Sequence, residues 1–271
     1  MQRMVDVPVS LVEHARAFLA GPGEPVEPRS AATVVLLRDG PAGLEVYLLR
    51  RAGSMAFAAG MHVFPGGGVD PRDGALETAW AGPGPSVWAG RLGCDEALAR
   101  ALVCAAVRET FEEAGVLLAG PSTAEVVTDP TSADWERERR ALLDRSRSIS
   151  DVLADRGLVL RSDLLRAWAH WITPEFEPRR FDTRFFVAAL PAGQRARDVS
   201  SEADEATWVT VRKAVAAHEA GRMAMLPPTI AALRDLAPLG DLGSVLAAPR
   251  ELRPVMPRLV EDADGLRLEV P

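Results

Sequence analysis

The 271-residue chain has few of the residues that mark secreted or membrane proteins. Its two cysteines, Cys94 and Cys104, form neither a CxxC pair nor a disulfide framework, so a reducing compartment is expected. No uncharged run approaches the roughly 18 residues that span a bilayer. The first apolar segment carries Glu13 and His14, unlike a secretory signal peptide. We therefore expect a cytoplasmic protein without a membrane segment.

Lysine is almost absent, since Lys213 is the only one and the other basic side chains are arginines. The formal net charge is −7 and the isoelectric point is near 5.3, which argues against a nucleic-acid or membrane-surface partner. Hydrophobic residues make up 48% of the chain, enough for a sizeable core. Such an arginine bias is typical of a GC-rich genome, and arginine also suits bidentate phosphate recognition.

Apolar patterns and turn residues predict one mixed α/β domain. Residues 31–40 and 44–51 are β-branched and aliphatic runs around a turn, which predicts a hairpin. Residues 95–114 contain no proline or glycine and predict a long helix that Gly115 ends. Two further strands are predicted at 179–191 and 205–211. Further helices are predicted at 10–21, 133–146, 148–157, 162–171, 211–221 and 227–237.

The remaining segments predict how the domain is organised. Residues 72–93 are rich in glycine, alanine, proline and tryptophan without a clear period, and we interpret them as irregular. Residues 257–270 predict a small hairpin around Asp-Ala-Asp-Gly. The predicted division is an N-terminal helix and linker (1–29), a main domain (30–240) with an insertion at about 69–94 and a helical segment at about 131–171, and a tail (241–271).

Three glutamates, Glu109, Glu112 and Glu113, fall within five positions of the predicted long helix. At about 100° per residue, Glu112 lies about 60° to one side of Glu109 and Glu113 about 40° to the other. Three anions so close repel one another unless a cation lies among them. A hard, oxygen-liganded ion such as Mg²⁺ or Mn²⁺ suits such a cluster. For an isolated cluster the alternative is a solvated acidic helix face.

The surrounding residues favour the metal site. The motif FPGG (64–67) precedes the helix, and RETFEEAGV (108–116) closes it. This arrangement resembles the Nudix hydrolase family, whose signature is GX5EX7REUXEEXGU with U a bulky aliphatic residue. The second half matches at every fixed position, although Phe111 stands at the first U position.

The two halves of the signature stand far apart. The family pattern places the glycine 14 positions before the arginine, whereas Gly67 precedes Arg108 by 41 positions, an excess of 27. Counting back from Arg108 without an insertion places Arg100 and Cys94 at the glutamate and glycine positions. The departures at these two positions are therefore expected to reflect an insertion and not a lost site.

One subgroup of the family carries such an insertion, and the chain resembles it over roughly residues 30 to 240. The subgroup includes the peroxisomal coenzyme A diphosphatase type and many bacterial relatives. The resemblance implies the Nudix fold, an α/β (α+β) fold with a mixed β-sheet sandwiched between helices and with additional helices inserted. The insertion either supplies a substitute for the missing glutamate, with Asp95 and Glu96 as candidates, or shapes the substrate pocket.

The resemblance also implies roles for single residues. Arg108 is expected to orient a glutamate through a salt bridge. A carboxylate of the segment 200–208 is expected to act as metal ligand or general base, with Glu202 and Glu205 as candidates. The expected ligands of Mg²⁺ or Mn²⁺ are Glu109, Glu112, Glu113 and the backbone carbonyl of Gly66 or Gly67. The candidates for binding substrate phosphates are Arg50, Arg51, Arg179, Arg180 and Arg184.

Nudix enzymes hydrolyse a nucleoside diphosphate linked to another moiety, so the resemblance implies a metal-dependent pyrophosphohydrolase. Coenzyme A or an acyl-coenzyme A is the favoured substrate, because the coenzyme A-specific ending Gx3FPGG occurs at residues 60–67. The arginine of that pattern is replaced by Ala56. The alternatives are ADP-ribose, dinucleotides or NADH as substrate, and a regulator that binds a nucleotide without cleaving it. Homodimers are common in the family, and one is expected here.

Overall fold

The computed structural model describes residues 3–7, 11–21, 23–53, 58–75, 78–199, 203–262 and 265–270. The described helices are α1 (Val12–Ala20), α2 (Pro85–Leu92), α3 (Glu96–Ala114), α4 (Ala133–Leu143), α5 (Ile149–Asp155), α6 (Val211–Glu219), α7 (Pro227–Leu236) and α8 (Leu242–Ala247). The described strands are β1 (Arg3–Asp6), β2 (Arg29–Gly40), β3 (Gly43–Arg51), β4 (His62–Val63), β5 (Gly66–Gly68), β6 (Trp80–Ala81), β7 (Ala119–Gly120), β8 (Val159–Arg161), β9 (Leu165–Ile172), β10 (Phe181–Ala189), β11 (Ala203–Thr210), β12 (Pro254–Val255), β13 (Arg258–Asp262) and β14 (Gly265–Val270).

An eight-stranded mixed sheet forms the centre of the protein. Its main path is β11-β3-β2-β10-β9-β12, and β4 and β5 pair with β3 and β2. β10 is parallel to β2 and β12 is parallel to β9, whereas the other neighbours are antiparallel. The predicted hairpin is confirmed as β2 and β3, closed by the pair Gly40 and Gly43. The two predicted later strands are confirmed as β10 and β11.

Helices cover both faces of this sheet, because alternate residues of a strand point to opposite sides. Val34 and Leu36 of β2 belong to the apolar cluster that contains the buried face of α3. Val35 and Leu37 belong to a second cluster, which contains residues of α6, α7 and α8. The expectation of a mixed sheet sandwiched between helices is therefore confirmed.

The predicted long helix is confirmed as α3. The Asp95 side chain caps its start by accepting a hydrogen bond from the Leu98 amide at 2.8 Å. Gly115 ends it in the left-handed conformation with a φ of 65°. The predicted helices over 10–21, 133–146, 148–157, 211–221 and 227–237 are confirmed as α1, α4, α5, α6 and α7, whereas α8 was not predicted.

The prediction of irregular structure for residues 72–93 is wrong. This segment contributes to a 3-10 turn at Pro71–Gly74 and forms β6 and α2. Proline and glycine indicated a loop, but Pro85 begins α2 and Gly93 ends it in the left-handed conformation. Trp88 of α2 is fully buried and packs edge-on against Phe186 of β10.

The prediction of a helix at residues 162–171 is also wrong. Only Ser162–Leu164 form a 3-10 turn, and the rest is β9, paired with β10 and β12. The helical segment predicted at about 131–171 therefore ends with α5. Hydrogen bonding to two neighbouring strands, which lie far away in sequence, overrides the local helical preference.

The two ends of the chain meet in a separate three-stranded sheet of order β1-β14-β13. The predicted hairpin at 257–270 is confirmed as β13 and β14, and the pairing of β1 with β14 was not predicted. Ala15 of α1, Phe176 and Leu268 share a small apolar cluster there. Within the described residues, no helix is both long and apolar enough to cross a membrane.

We expect the substitution Trp88→Ala to lower the free energy of unfolding by about 3–5 kcal/mol, because it leaves a cavity between α2 and the sheet. The neighbouring Val87→Ala is the control, since Val87 is exposed and should change stability by less than about 0.5 kcal/mol. Urea denaturation measures both. Equal effects of the two substitutions would contradict the buried position of α2.

Glu177 generates a prediction on pH. Burial raises its pKa to about 7, and the positive charge of Arg180 opposes the rise. Because the pKa in the unfolded chain is about 4.3, the folded state binds this proton more tightly, and stability is lost as the pH rises towards 7. We expect Glu177→Gln to raise the free energy of unfolding at pH 8 and to leave it unchanged at pH 4. The exposed Glu175→Gln is the control in the same urea titrations, and an equal gain at both pH values would contradict the prediction.

Candidate functional site

The guanidinium of Arg108 is the centre of a buried charge cluster. Its Nη1 donates to Oε1 of Glu109 at 2.7 Å and to Oε1 of Glu112 at 3.2 Å. Its Nε and Nη2 donate to the carboxylate of Asp73 at 3.0 and 2.9 Å. Nη2 also donates to the carbonyl oxygen of Gly68 at 2.9 Å. Arg108 thus forms salt bridges with two of the three predicted metal-ligating glutamates.

Asp73 occupies the position of the glutamate that the signature lacks. It stands six residues after Gly67, which is the spacing of the family pattern GX5E. Its carboxylate also accepts a hydrogen bond from the Asp70 amide at 2.8 Å, within the 3-10 turn. Counting forward from the glycine, and not backward from Arg108, reveals this match. The extra residues therefore lie between Asp73 and Arg108.

Asp95 and Glu96, the candidates that the sequence indicated for the missing carboxylate, do not contact Arg108 among the described contacts. Asp95 caps α3, and Glu96 is exposed in its first turn. The expectation that one of them replaces the glutamate is therefore wrong. Both lie at the start of α3, and Asp95 is 13 positions, about 20 Å of helix, away from Arg108.

Arg100 belongs to the packing of the insertion. Its guanidinium lies over the ring of Trp80, 5.6 Å from the centroid. The Trp80 indole donates to the carbonyl oxygen of Pro83 at 2.8 Å. Since α3 is continuous, Arg100 points about 180° away from Glu109, and its loss of a glutamate identity leaves the carboxylate cluster intact.

The glycine loop closes over the middle of α3. A Cβ atom at Gly67 would stand 2.4 Å from Oε1 of Glu109, so only glycine permits this approach. The amide of Gly66 donates to Oε2 of Glu113 at 2.9 Å. β5, which holds both glycines, is fixed by its pairing with β2. The two separated halves of the signature thus meet in space.

The cluster carries more negative than positive charge. Burial raises the pKa of Glu109 to about 7; Arg108 opposes this rise and Glu112 adds to it. Burial also raises the pKa of Glu112, against the effect of Arg108. Among the residues that the structure describes, no group of three or more His, Cys, Asp or Glu side chains is arranged to hold a metal ion. The carboxylate and carbonyl oxygens are nevertheless the donors that Mg²⁺ and Mn²⁺ prefer, and the excess negative charge fits a cation.

The carboxylates predicted from the segment 200–208 are not brought to this cluster. Glu205 is exposed on β11 and forms an ion pair with Arg50 of β3 at 3.7 Å. Leu49 packs with α3, so Arg50, the next residue, points to the opposite face of the sheet. By the same alternation the half-buried Arg51 points to the face of α3. Glu202 lies outside the described residues.

The three arginines predicted at residues 179–184 have different environments. Arg179 is exposed, whereas Arg180 is buried and donates to two backbone carbonyls at 3.0 and 2.8 Å. Arg184 is buried and forms an ion pair with Asp182. The described contacts of Arg180 and Arg184 are therefore made within the protein, and neither residue contacts the glutamate cluster.

Arginines that the sequence did not single out hold the C-terminal end of α3. Nη1 of Arg139 donates to the carbonyl oxygen of Glu112 at 2.7 Å, while its other nitrogens bind Glu136. The Arg197 amide donates to the carbonyl oxygen of Ala114 at 2.9 Å. These groups satisfy carbonyls of the last turn, and both guanidinium charges are favourable near that end of the helix dipole. The two arginines lie on separate segments, so no local motif indicates them.

Comparison with known proteins identifies this arrangement. A family model described as the NUDT19 Nudix domain matches residues 93–236, more than half of the chain. The crystal structure of a NUDIX hydrolase from Alicyclobacillus acidocaldarius superposes with a TM-score of 0.71 at 31% sequence identity. The superposition covers 82% of this chain and 97% of that one. The chain belongs to the Nudix hydrolase family, and the matching model is that of the NUDT19 type.

Curated relatives share the NUDT19 name. Proteins named acyl-coenzyme A diphosphatase NUDT19 from Xenopus laevis and Homo sapiens are 26% identical over 239 and 245 residues, which cover 73% and 75% of this chain. A putative nudix hydrolase 7 from Caenorhabditis elegans is 26% identical over 213 residues, 79% of this chain. The chain spans 62%, 63% and 62% of the lengths of these three relatives, respectively.

We expect the substitution Asp73→Asn to lower the affinity for Mn²⁺ about 10- to 100-fold, because it removes the charge that anchors Arg108 beside Glu109 and Glu112. Asp73→Glu, which restores the family residue, should keep most of the affinity. The control is Asp95→Asn, the same chemical change at a helix cap that asparagine also satisfies. Isothermal titration with Mn²⁺ measures all three. An unchanged affinity in Asp73→Asn would exclude a positioning role for Asp73.

Proposed function

We propose that the chain hydrolyses the diphosphate bond of a nucleoside diphosphate linked to another moiety, with bound Mg²⁺ or Mn²⁺. Coenzyme A or an acyl-coenzyme A is the favoured substrate. The observation that carries the proposal is the reassembled signature: Arg108 binds Asp73, Glu109 and Glu112 while the glycine loop contacts Glu109 and Glu113. A protein that only binds a nucleotide has no need of these mutually repelling carboxylates.

Two further observations favour coenzyme A. The ending Gx3FPGG of the coenzyme A-specific pattern occurs at residues 60–67. Relatives from Xenopus laevis and Homo sapiens are named acyl-coenzyme A diphosphatases, at 26% identity. Ala56 stands where that pattern has an arginine, so ADP-ribose, dinucleotides and NADH belong in the same test.

The residues of the chain divide the work of the reaction. Glu109, Glu112, Glu113 and the carbonyl of Gly67 would hold the cation. That cation would neutralise the diphosphate charge, polarise its P–O bonds and make water more acidic. Arg108 uses one oxygen of Glu109 and one of Glu112, and so fixes the directions of both carboxylates. Gly66 fixes Glu113 through its backbone amide.

The residue that deprotonates the attacking water stays a prediction. Glu202 and Glu205 are the candidates from the sequence, and Glu205 lies on the face of the sheet that points away from α3. We therefore favour Glu202. Its proximity to the cluster has to be tested by substitution, as has that of the arginine candidates Arg51 and Arg179. A homodimer and a cytoplasmic location likewise stay predictions, and light scattering after size exclusion tests the dimer.

The function is tested by incubating the protein and Mg²⁺ with coenzyme A, acetyl-coenzyme A, ADP-ribose, NADH and a dinucleotide. We expect 4′-phosphopantetheine and 3′,5′-ADP from coenzyme A, identified by mass spectrometry, and no product after chelation of the metal. Turnover of ADP-ribose alone would replace the substrate. Absence of any turnover, with nucleotide binding intact, would favour the regulator.

Glu112→Gln should lower kcat at least about 100-fold, because it removes a ligand charge from the cluster while keeping the side-chain shape. Glu96→Gln is the matched control, since Glu96 is exposed on the same helix about 24 Å away along its axis. Circular dichroism verifies that both variants fold. Full activity in Glu112→Gln would refute the assignment of the metal site.

A further inference from the structure

Arg145, in the turn between α4 and α5, has a backbone conformation that arginine rarely adopts. Its φ is 60°, and its amide donates to the carbonyl oxygen of Leu142 at 3.0 Å just after α4 ends. Helices usually place glycine at such a left-handed position, because a Cβ atom there is strained. Helix termination alone therefore does not explain an arginine at this position.

The turn is fixed against the anchor of the glutamate cluster. The carbonyl oxygen of Arg145 accepts a hydrogen bond from Nη1 of Arg72 at 2.9 Å. Arg72 also binds both carboxylate oxygens of Asp70 at 2.9 Å, and Asp70 caps the 3-10 turn that holds Asp73. The backbone of Arg145 is thus joined through two contacts to the turn that binds Arg108.

The helix before the turn is held on the other side of the cluster. Arg139 of α4 donates to the backbone carbonyl of Glu112, as described above. Burial raises the pKa of Glu112, and the positive charges of Arg108 and Arg145 oppose that rise. The Arg145 guanidinium therefore lies within electrostatic range of the Glu112 carboxylate.

The Arg145 side chain is exposed, and no hydrogen bond or ion pair of its guanidinium occurs among the described contacts. Its neighbours differ, since Arg147 binds Glu138 and Asp155 and Arg140 binds Glu136. A strained backbone and two fixed sides therefore present an unoccupied planar cation beside the acidic cluster. Arginine in such a setting suits bidentate binding of a phosphate group.

We propose that Arg145 binds a non-bridging oxygen of the diphosphate of the substrate held at the glutamate cluster. The proposal rests on the proposed function, because it takes the substrate to be a nucleoside diphosphate derivative. Arg145 then compensates phosphate charge on the side of the cluster that α4 and α5 form. Arg108 has no such role, since its nitrogens bind protein groups.

The test is the substitution Arg145→Gly, assayed with coenzyme A and with ADP-ribose, which share the diphosphate. We expect kcat/KM to fall about 10- to 100-fold on whichever of them the wild-type protein turns over, and by similar factors if both are substrates. The melting temperature should stay equal or rise, because glycine suits the backbone conformation. Arg145→Lys should recover part of the loss, and Arg137→Ala, an exposed arginine of α4, should have no effect.

Three outcomes would overturn the proposal. One is unchanged kcat/KM in Arg145→Gly. Another is a loss confined to coenzyme A while ADP-ribose turnover is unchanged, which would assign the arginine to a phosphate outside the diphosphate. The third is a lower melting temperature in Arg145→Gly that accounts for the loss, which would make the role structural.

Failure of the proposed function itself has a separate signature, because the wild-type protein would then turn over neither compound. In that case isothermal titration with Mg²⁺ and ADP compares binding by the wild type and Arg145→Gly. At least about tenfold weaker binding by the variant supports the phosphate contact, and equal affinity refutes it.

Discussion

The buried guanidinium of Arg108 joins three segments that the chain keeps apart. It binds Asp73 in the 3-10 turn, the carbonyl of Gly68 in the glycine loop, and Glu109 and Glu112 on its own helix. A planar group with five donors can hold several oxygens at fixed angles. Because the carboxylates outnumber the arginine, the cluster keeps negative charge. The same interaction that organises the fold there thus leaves the site suited to a cation.

The insertion within the signature is part of the hydrophobic core. Trp88 packs on the central sheet and Arg100 covers Trp80, so the added segment is anchored on both the sheet and α3. Asp73 precedes the added residues and keeps its place beside Arg108. The chain can therefore lengthen between the two halves of the signature without separating their side chains in space.

Prediction from the sequence succeeded where a pattern is local. The alternation of β2 and β3, the uninterrupted run of α3 and the glycine at its end all depend on near neighbours. It failed for β9, whose conformation depends on pairing with β10 and β12. It also interpreted Pro85 and Gly93 as loop residues, because the same residue types cap helices when tertiary packing provides one.

The sequence by itself determined the family, the glutamates of α3 and the glycine loop, since these are read from residue identity at short spacing. Only the tertiary structure decided which residues act together. It assigned Asp73 to Arg108 and separated Glu205 and Arg50 from the cluster by strand alternation. It also brought Arg145 beside Glu112. Contacts between distant segments depend on how the sheet and helices pack, and a linear pattern contains no distances.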